Sequence, residues 1–197
     1  PQPSGMEYVT VADRDVPALG LGTWKLTGQT CYGTVKTALD LGYRHLDTAQ
    51  AYENERHVGN AVADSDVDRG DVFLTTKVRP DRYEPGDLRA SVRDSLDRLD
   101  TAYVDLLLLH WPNPLSDLDA TLRAMAGLVD DGAVRHVGVS NFSKRQLERA
   151  MARSPVPIAT NQVQFHPFKP QRELLAFCQD HDVMLTAYSP LAHGAAL

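Results

Sequence analysis

The chain has 197 residues, of which 43% are hydrophobic and 23% charged, and a formal charge of −6. That is an ordinary globular composition with enough apolar material for one domain around a substantial core. The acidic balance argues against nucleic acid or an anionic membrane as partner, and no apolar run approaches the ~18 residues of a membrane span.

Strand and helix patterns alternate from end to end. Tyr8 to Pro17 reads as a small hairpin turning around Asp13-Arg14-Asp15. The first strand is predicted at Ala18 to Gly22, followed by a helix over about Tyr32 to Leu41. Further strands are predicted at His45 to Thr48, Val72 to Val78, Val104 to Trp111, Val134 to Ser140, Ala159 to Phe165 and Val183 to Ser189. Leu88, Val92, Leu96 and Leu99 mark one helical stripe between them, and Leu118, Leu122, Met125 and Val129 another. Ser143 to Gln146 has capping-box form at the start of a later helix.

This gives seven parallel strands and six helices in one domain over residues 1–197. Near-continuous apolar strands such as Val104-Asp-Leu-Leu-Leu-Leu109 predict a parallel sheet covered on both faces. A doubly wound sheet and a (β/α)8 barrel both fit, and the strand ends discriminate between them. A dinucleotide fold wants G-x-G-x-x-G after its first strand, but Gly20-Leu-Gly22-Thr-Trp-Lys25 has Lys at the third glycine position. Its acidic partner would be Asp40, which falls inside the first helix.

Polar residues instead collect at the carboxyl ends of many strands, as a barrel active site requires. They are Asp47 and Tyr52 after the second strand, Lys77 at the third, His110 at the fourth and Ser140-Asn141 at the fifth. Asn161, Gln162 and Gln164 belong to the sixth, and Tyr188-Ser189 end the seventh. Alternation puts Val104, Leu106, Leu108 and His110 on one face, so His110 caps an inward apolar column. Each has a bland alternative: Asp47 as a helix cap, Lys77 solvated, His110 with Trp111 as a packed aromatic corner, Tyr52 as surface packing. Their joint placement is what carries weight.

Other chemistries find no support. Cys31 and Cys178 stand far apart, which gives no disulfide framework and makes a reducing cytoplasm the expected compartment. Cys31 reads as a small buried hydrophobe. The remaining histidines show no metal-ligand spacing, so no metal is expected, and there is no G-x-S-x-G elbow. The N-terminal PQPSGMEYVTV has neither the basic start nor the apolar stretch of a signal peptide.

The motifs together resemble the aldo-keto reductase family, closest in tone to small prokaryotic members that reduce diketogluconate and methylglyoxal. Leu46-Asp-Thr-Ala-Gln-Ala-Tyr52-Glu-Asn-Glu55 is similar to the signature around the catalytic acid. Leu74-Thr-Thr-Lys77 is similar to the lysine motif, and Leu107-Leu-Leu-His110-Trp-Pro112 to the histidine motif. Val137-Gly-Val-Ser-Asn-Phe142, Asn161-Gln-Val-Gln-Phe-His-Pro167 and Tyr188-Ser-Pro-Leu191 resemble nicotinamide-side segments, and Gly20-Leu-Gly-Thr-Trp24 the first strand end.

The resemblance implies a (β/α)8 barrel that holds NADP(H) extended, with NAD(H) not excluded, and a small-molecule carbonyl substrate. It makes Tyr52 the general acid, with its pKa lowered by Lys77, Asp47 paired with Lys77, and His110 orienting the carbonyl. Ser140, Asn141 and Gln162 would hold the carboxamide, with Tyr188 stacked on the ring. Gly22, Thr23 and Trp24 would line the mouth, Ser189 and Leu191 the pyrophosphate path, and Trp111 would join Trp24 at the substrate. It also implies a further helix, strand and helix after Leu197, so the chain is expected to be a fragment of a monomeric barrel. Two other readings share the fold: a cofactor-binding regulatory barrel with little turnover, and a phosphate-binding isomerase.

Overall fold

The computed structural model describes residues 5–11 and 14–196. Strands β1 (Tyr8–Val11) and β2 (Arg14–Pro17) form the expected hairpin, with Tyr8 opposite Pro17 and Val11 opposite Arg14. Asp13, expected at its turn, lies outside the described residues. Strands β3 (Leu21–Gly22), β4 (His45–Asp47), β5 (Phe73–Val78) and β6 (Val104–Leu109) follow. β7 (Val134–Ser140), β8 (Ile158–Gln164) and β9 (Met184–Tyr188) complete a parallel sheet paired in chain order. With six α-helices among the described residues, this is the nearly closed parallel barrel of the (β/α)8 type.

The helices are α1 (Gly28–Asp40), α2 (Glu55–Ala63), α3 (Pro85–Leu99), α4 (Leu118–Asp130), α5 (Lys144–Arg153) and α6 (Arg172–Asp180). α1 begins before the expected Tyr32, because its first turn is polar and carries no apolar periodicity to mark it. α5 opens with the expected capping box, Ser143 and Gln146 each bonding the other's backbone.

Strand alternation divides the apolar residues into two layers. Leu107 and Leu109 face outward into a cluster with Leu88, Val92, Leu122 and Met125. Leu106 and Leu108 face inward, with Val11, Val16, Phe73 and Ala159. A fully buried Leu contributes roughly 1.5–3 kcal/mol, so both layers matter to stability. Val104 departs from the expected inward column: at the strand's first position it packs with the outer cluster.

Val11 and Val16 come from the hairpin, which therefore floors the barrel. Charge holds it there as well: buried Asp105 meets Arg14 of the hairpin at 3.3 Å, Arg69 at 3.0 Å and Arg135 at 3.4 Å.

One irregularity bears on the site. Between β7 and β8 the register shifts, Val137 opposing Ile158 but Val139 opposing Asn161. The extra residue re-aims the end of β8, as bulges do, and leaves Ser140 beside Gln162. Gly138 sits at this bulge, where a Cβ would lie 2.8 Å from both the Leu108 side chain and the Thr160 carbonyl.

Candidate active site

Asp47 ends β4, and Lys77 is the penultimate residue of β5. The Lys77 ammonium is 1% exposed and bonded to one Asp47 carboxylate oxygen. It also donates to the Thr48 carbonyl at 3.0 Å and to the Tyr52 hydroxyl at 3.5 Å. The other Asp47 oxygen accepts from the Gln162 amide at 2.7 Å. Asp47 is thus anchored from two strands, and Lys77 is aimed at Tyr52.

Tyr52 closes a short 3-10 turn, Gln50–Tyr52, and Glu53 follows in the left-handed region at φ 56°. Such a turn has little rigidity of its own. Buried amides on either side supply it. Gln50 donates to the Ser91 carbonyl and to the Ser91 and Ser95 hydroxyls at 3.1 Å, and accepts from the Arg79 N–H at 3.1 Å. Asn54 donates to the Thr23 and Leu26 carbonyls at 2.9 and 3.0 Å, and accepts from the Thr48 hydroxyl at 2.6 Å. Sequence reasoning passed over both. Their signal was two amides flanking the tyrosine inside one motif.

β6 ends at Leu109 rather than Trp111, so His110 and Trp111 stand just beyond the strand. The His110 N–H still bonds the Val78 carbonyl at 3.1 Å, and its carbonyl accepts from the Asn141 amide at 3.1 Å. The His110 and Tyr52 rings meet edge to face, 5.7 Å between centroids at 75°.

The ionisation states follow from these surroundings. Burial pulls Lys77 down, but Asp47 and Tyr52 outweigh it and leave the ammonium above its ordinary value. Tyr52 corrects the expectation. Lys77 does pull it down, yet burial is the larger effect, Asp47 adds to it, and the phenol rests above the usual value. Burial and the Lys77 charge lower His110 to about 4, against the opposing pull of Asp47. His110 is therefore neutral at physiological pH and can offer an N–H without carrying charge. We expect its ring protons to titrate by NMR with a midpoint near 4, not near the ordinary 6.5. Below 6.5 the unfolded chain takes up this proton and the folded chain does not, so this group lowers stability as pH falls toward 4. A ring titrating at its ordinary value would remove this assignment.

A cavity of about 1170 Å³ runs from the hairpin residues Val9, Thr10 and Val11 along the open side between β3 and β9 up to these groups, with Asp47, Tyr52 and His110 in its wall. Ser140, Asn141, Gln162 and Tyr188 line it from the β7–β9 side, and Gly22, Trp24, Trp111 and Ser189 from its rim. The Ser140 hydroxyl donates to the Gln162 carbonyl at 2.8 Å, and the Tyr188 hydroxyl to the Asn141 amide oxygen at 2.8 Å. Asn141 is left-handed at φ 63° and Ser189 at 49°. Strain of this kind recurs at functional sites.

Two expected residues fall elsewhere. Thr23 is fully buried, its hydroxyl given to the Asp47 carbonyl at 3.0 Å, so it braces β4 rather than lining the mouth. Leu191 is 51% exposed on the loop after β9 and stands outside the cavity wall. Cys31 is fully buried in the outer core. Among the described residues no group of three or more His, Cys, Asp or Glu is placed to hold a metal, and no helix is long and apolar enough to cross a membrane.

A parallel barrel with a buried Lys–Asp pair, a tyrosine and a neutral histidine at its carboxyl mouth defines a barrel oxidoreductase acting on carbonyls. The chain belongs to the aldo/keto reductase family, whose model matches residues 18–197. It is 40% identical over 185 residues to methylglyoxal reductase DkgB of Escherichia coli O157:H7, covering 92% of this chain and 69% of that one. A thermostable aldo-keto reductase solved with the inhibitor epalrestat superposes with a TM-score of 0.92 at 41% identity, covering 96% of this chain and 74% of the other. The aldose reductase of Schistosoma japonicum gives a TM-score of 0.90 at 33% identity, with coverage of 95% and 70%. The chain spans 69% of the length of the DkgB relative and 65% of aldo/keto reductase slr0942 of Synechocystis.

Proposed function

We propose that this chain carries the reducing site of an NADPH-dependent reductase of aldehydes and reactive ketones, with Tyr52 as proton donor. The observation that carries the reading is the single connected set formed by Asp47, Lys77 and Tyr52, with the His110 ring set against Tyr52. The residues fit a nicotinamide by their chemistry: Ser140, Asn141 and Gln162 gather hydroxyl and amide groups matched to a carboxamide, and Tyr188 offers a flat aromatic wall beside them.

When bound, the reduced nicotinamide supplies the hydride, two electrons and one hydrogen, to the carbonyl carbon. The chain's own residues handle the oxygen. As the C=O π bond breaks, negative charge grows on oxygen, and the Tyr52 O–H transfers its proton there to complete the alcohol. Lys77 stabilises the phenolate left behind, and Asp47 keeps Lys77 charged in a buried setting. Neutral His110 donates a hydrogen bond to the same oxygen and fixes which way the carbonyl faces. Trp24 and Trp111, about half exposed at the rim, wall the substrate.

Loss of reduced-nicotinamide absorbance is the direct test, using a panel of aldehydes and α-dicarbonyls with NADPH and NADH in parallel. Turnover with preference for NADPH is expected. Tight cofactor binding with no turnover on any carbonyl would overturn the reductase reading in favour of a regulatory barrel.

A further inference from the structure

Beyond β6, the backbone around His110 has only its own N–H still engaged with a neighbouring strand. The next residue is held by a side chain instead. The Tyr83 hydroxyl donates to the Trp111 carbonyl at 2.7 Å and accepts from the Trp111 N–H at 3.2 Å. One oxygen thereby satisfies both backbone polar groups of Trp111. Tyr83 is 2% exposed, set between the 3-10 turn Pro80–Arg82 and α3.

Its setting is rigid. The Tyr83 carbonyl accepts from the Thr121 hydroxyl at 2.9 Å, and the Asn113 amide donates to the Pro80 carbonyl at 3.0 Å. The loop after β5 and the loop after β6 are therefore joined side by side. Burial raises the Tyr83 phenol, so it keeps the proton it gives to Trp111. On the other side, Asn141 holds the His110 carbonyl. The His110–Trp111 segment is pinned from both flanks while the Trp111 indole stays 49% exposed at the cavity rim.

We propose that Tyr83 is a positioning residue of this site: its hydroxyl fixes the Trp111 backbone, and through it the direction of the His110 ring and of the indole that walls the substrate. The inference rests on the reductase reading above. A hydrogen bond to the carbonyl oxygen demands placement within about 0.5 Å, which a loop held by one backbone bond does not provide. Phenylalanine would fill the same volume and leave the Trp111 N–H and C=O without partners.

The test is Tyr83→Phe, read by steady-state kinetics with an aromatic aldehyde in wild-type and His110→Asn backgrounds. In the wild-type background kcat should fall about tenfold. In the His110→Asn background the same change should alter kcat by no more than about twofold, because the ring whose direction sets kcat is already gone, and what Tyr83 contributes through the Trp111 indole should appear in KM instead. Equal losses in both backgrounds, or an unchanged kcat, would overturn the proposal. Hydrogen exchange on the wild-type protein tests it without any variant. The Trp111 amide should exchange as slowly as strand amides despite lying in a loop, and fast exchange there would defeat the pin even if Tyr83→Phe failed to fold. Wild-type protein that reduces no carbonyl would remove the reductase reading, leaving the exchange result to judge the pin alone.

Discussion

Tyr52→Phe should lower kcat by about 10²–10⁴-fold while binding of the nicotinamide cofactor stays within a few-fold, the span that a positioned proton donor contributes. The substitution removes one oxygen from a side chain whose ring already packs against His110 and under the Lys77 ammonium, 5.1 Å from its centroid. Those ring contacts remain in phenylalanine, so folding should be little affected. What disappears is the only hydroxyl within reach of Lys77 among the described residues. Stopped-flow measurement of cofactor binding beside steady-state turnover separates the two effects. Wild-type kcat in Tyr52→Phe would mean that another group delivers the proton, with His110 the nearest candidate.

The resting state of Tyr52 sharpens this prediction. Burial holds the Tyr52 phenol above its ordinary value and Lys77 pulls the other way, so in the proposed mechanism the hydroxyl keeps its proton at rest while the ammonium offsets part of the cost of losing it. A tyrosine held low from the start would be partly ionised and unable to donate. Opposed effects of burial and charge suit a group that must first keep a proton and then lose it.

The barrel was legible in the sequence because strand and helix periods alternate cleanly and polar residues gather at or beside most strand ends. Three of the four proposed catalytic residues were legible for the same reason: Asp47, Lys77 and His110 each sit within one residue of a strand end, where alternation settles their direction. Tyr52 follows in the loop after the second strand, where no periodicity fixes a direction, and its role as general acid came from the resemblance. Gln50, Asn54 and Tyr83 were missed because their work lies in hydrogen bonds to backbone atoms far along the chain. Nothing in a local pattern says that residue 83 will reach residue 111. Thr23 was misplaced for a related reason, since its hydroxyl turns back onto the Asp47 carbonyl. The bulge between β7 and β8 was invisible too, yet it helps bring Gln162 to Asp47.

Asp47→Asn carries the largest expected effect on stability. It leaves the Lys77 ammonium, 1% exposed, with neutral acceptors only: the Thr48 carbonyl, the Tyr52 hydroxyl and the new amide oxygen, which carries no charge to balance it. Breaking a buried ion pair from one side typically costs about 3–5 kcal/mol, more than the pair is worth against two neutral groups. Denaturant unfolding at neutral pH should show a loss of that size, with the slope unchanged. Asp47→Asn with Lys77→Met should recover much of that stability, because no charge is then stranded, while turnover stays lost. The pH dependence has a definite sign. Lys77 is raised in the folded state, so its contribution is complete below the ordinary lysine value and disappears as pH rises through the higher folded one. Wild-type protein should therefore hold this contribution across the neutral range and shed it only in alkali, whereas Asp47→Asn lacks it from neutral pH upward. An Asp47→Asn variant as stable as wild type would show that Asp47 is not what keeps Lys77 charged, and the polarisation of Tyr52 would then need another source.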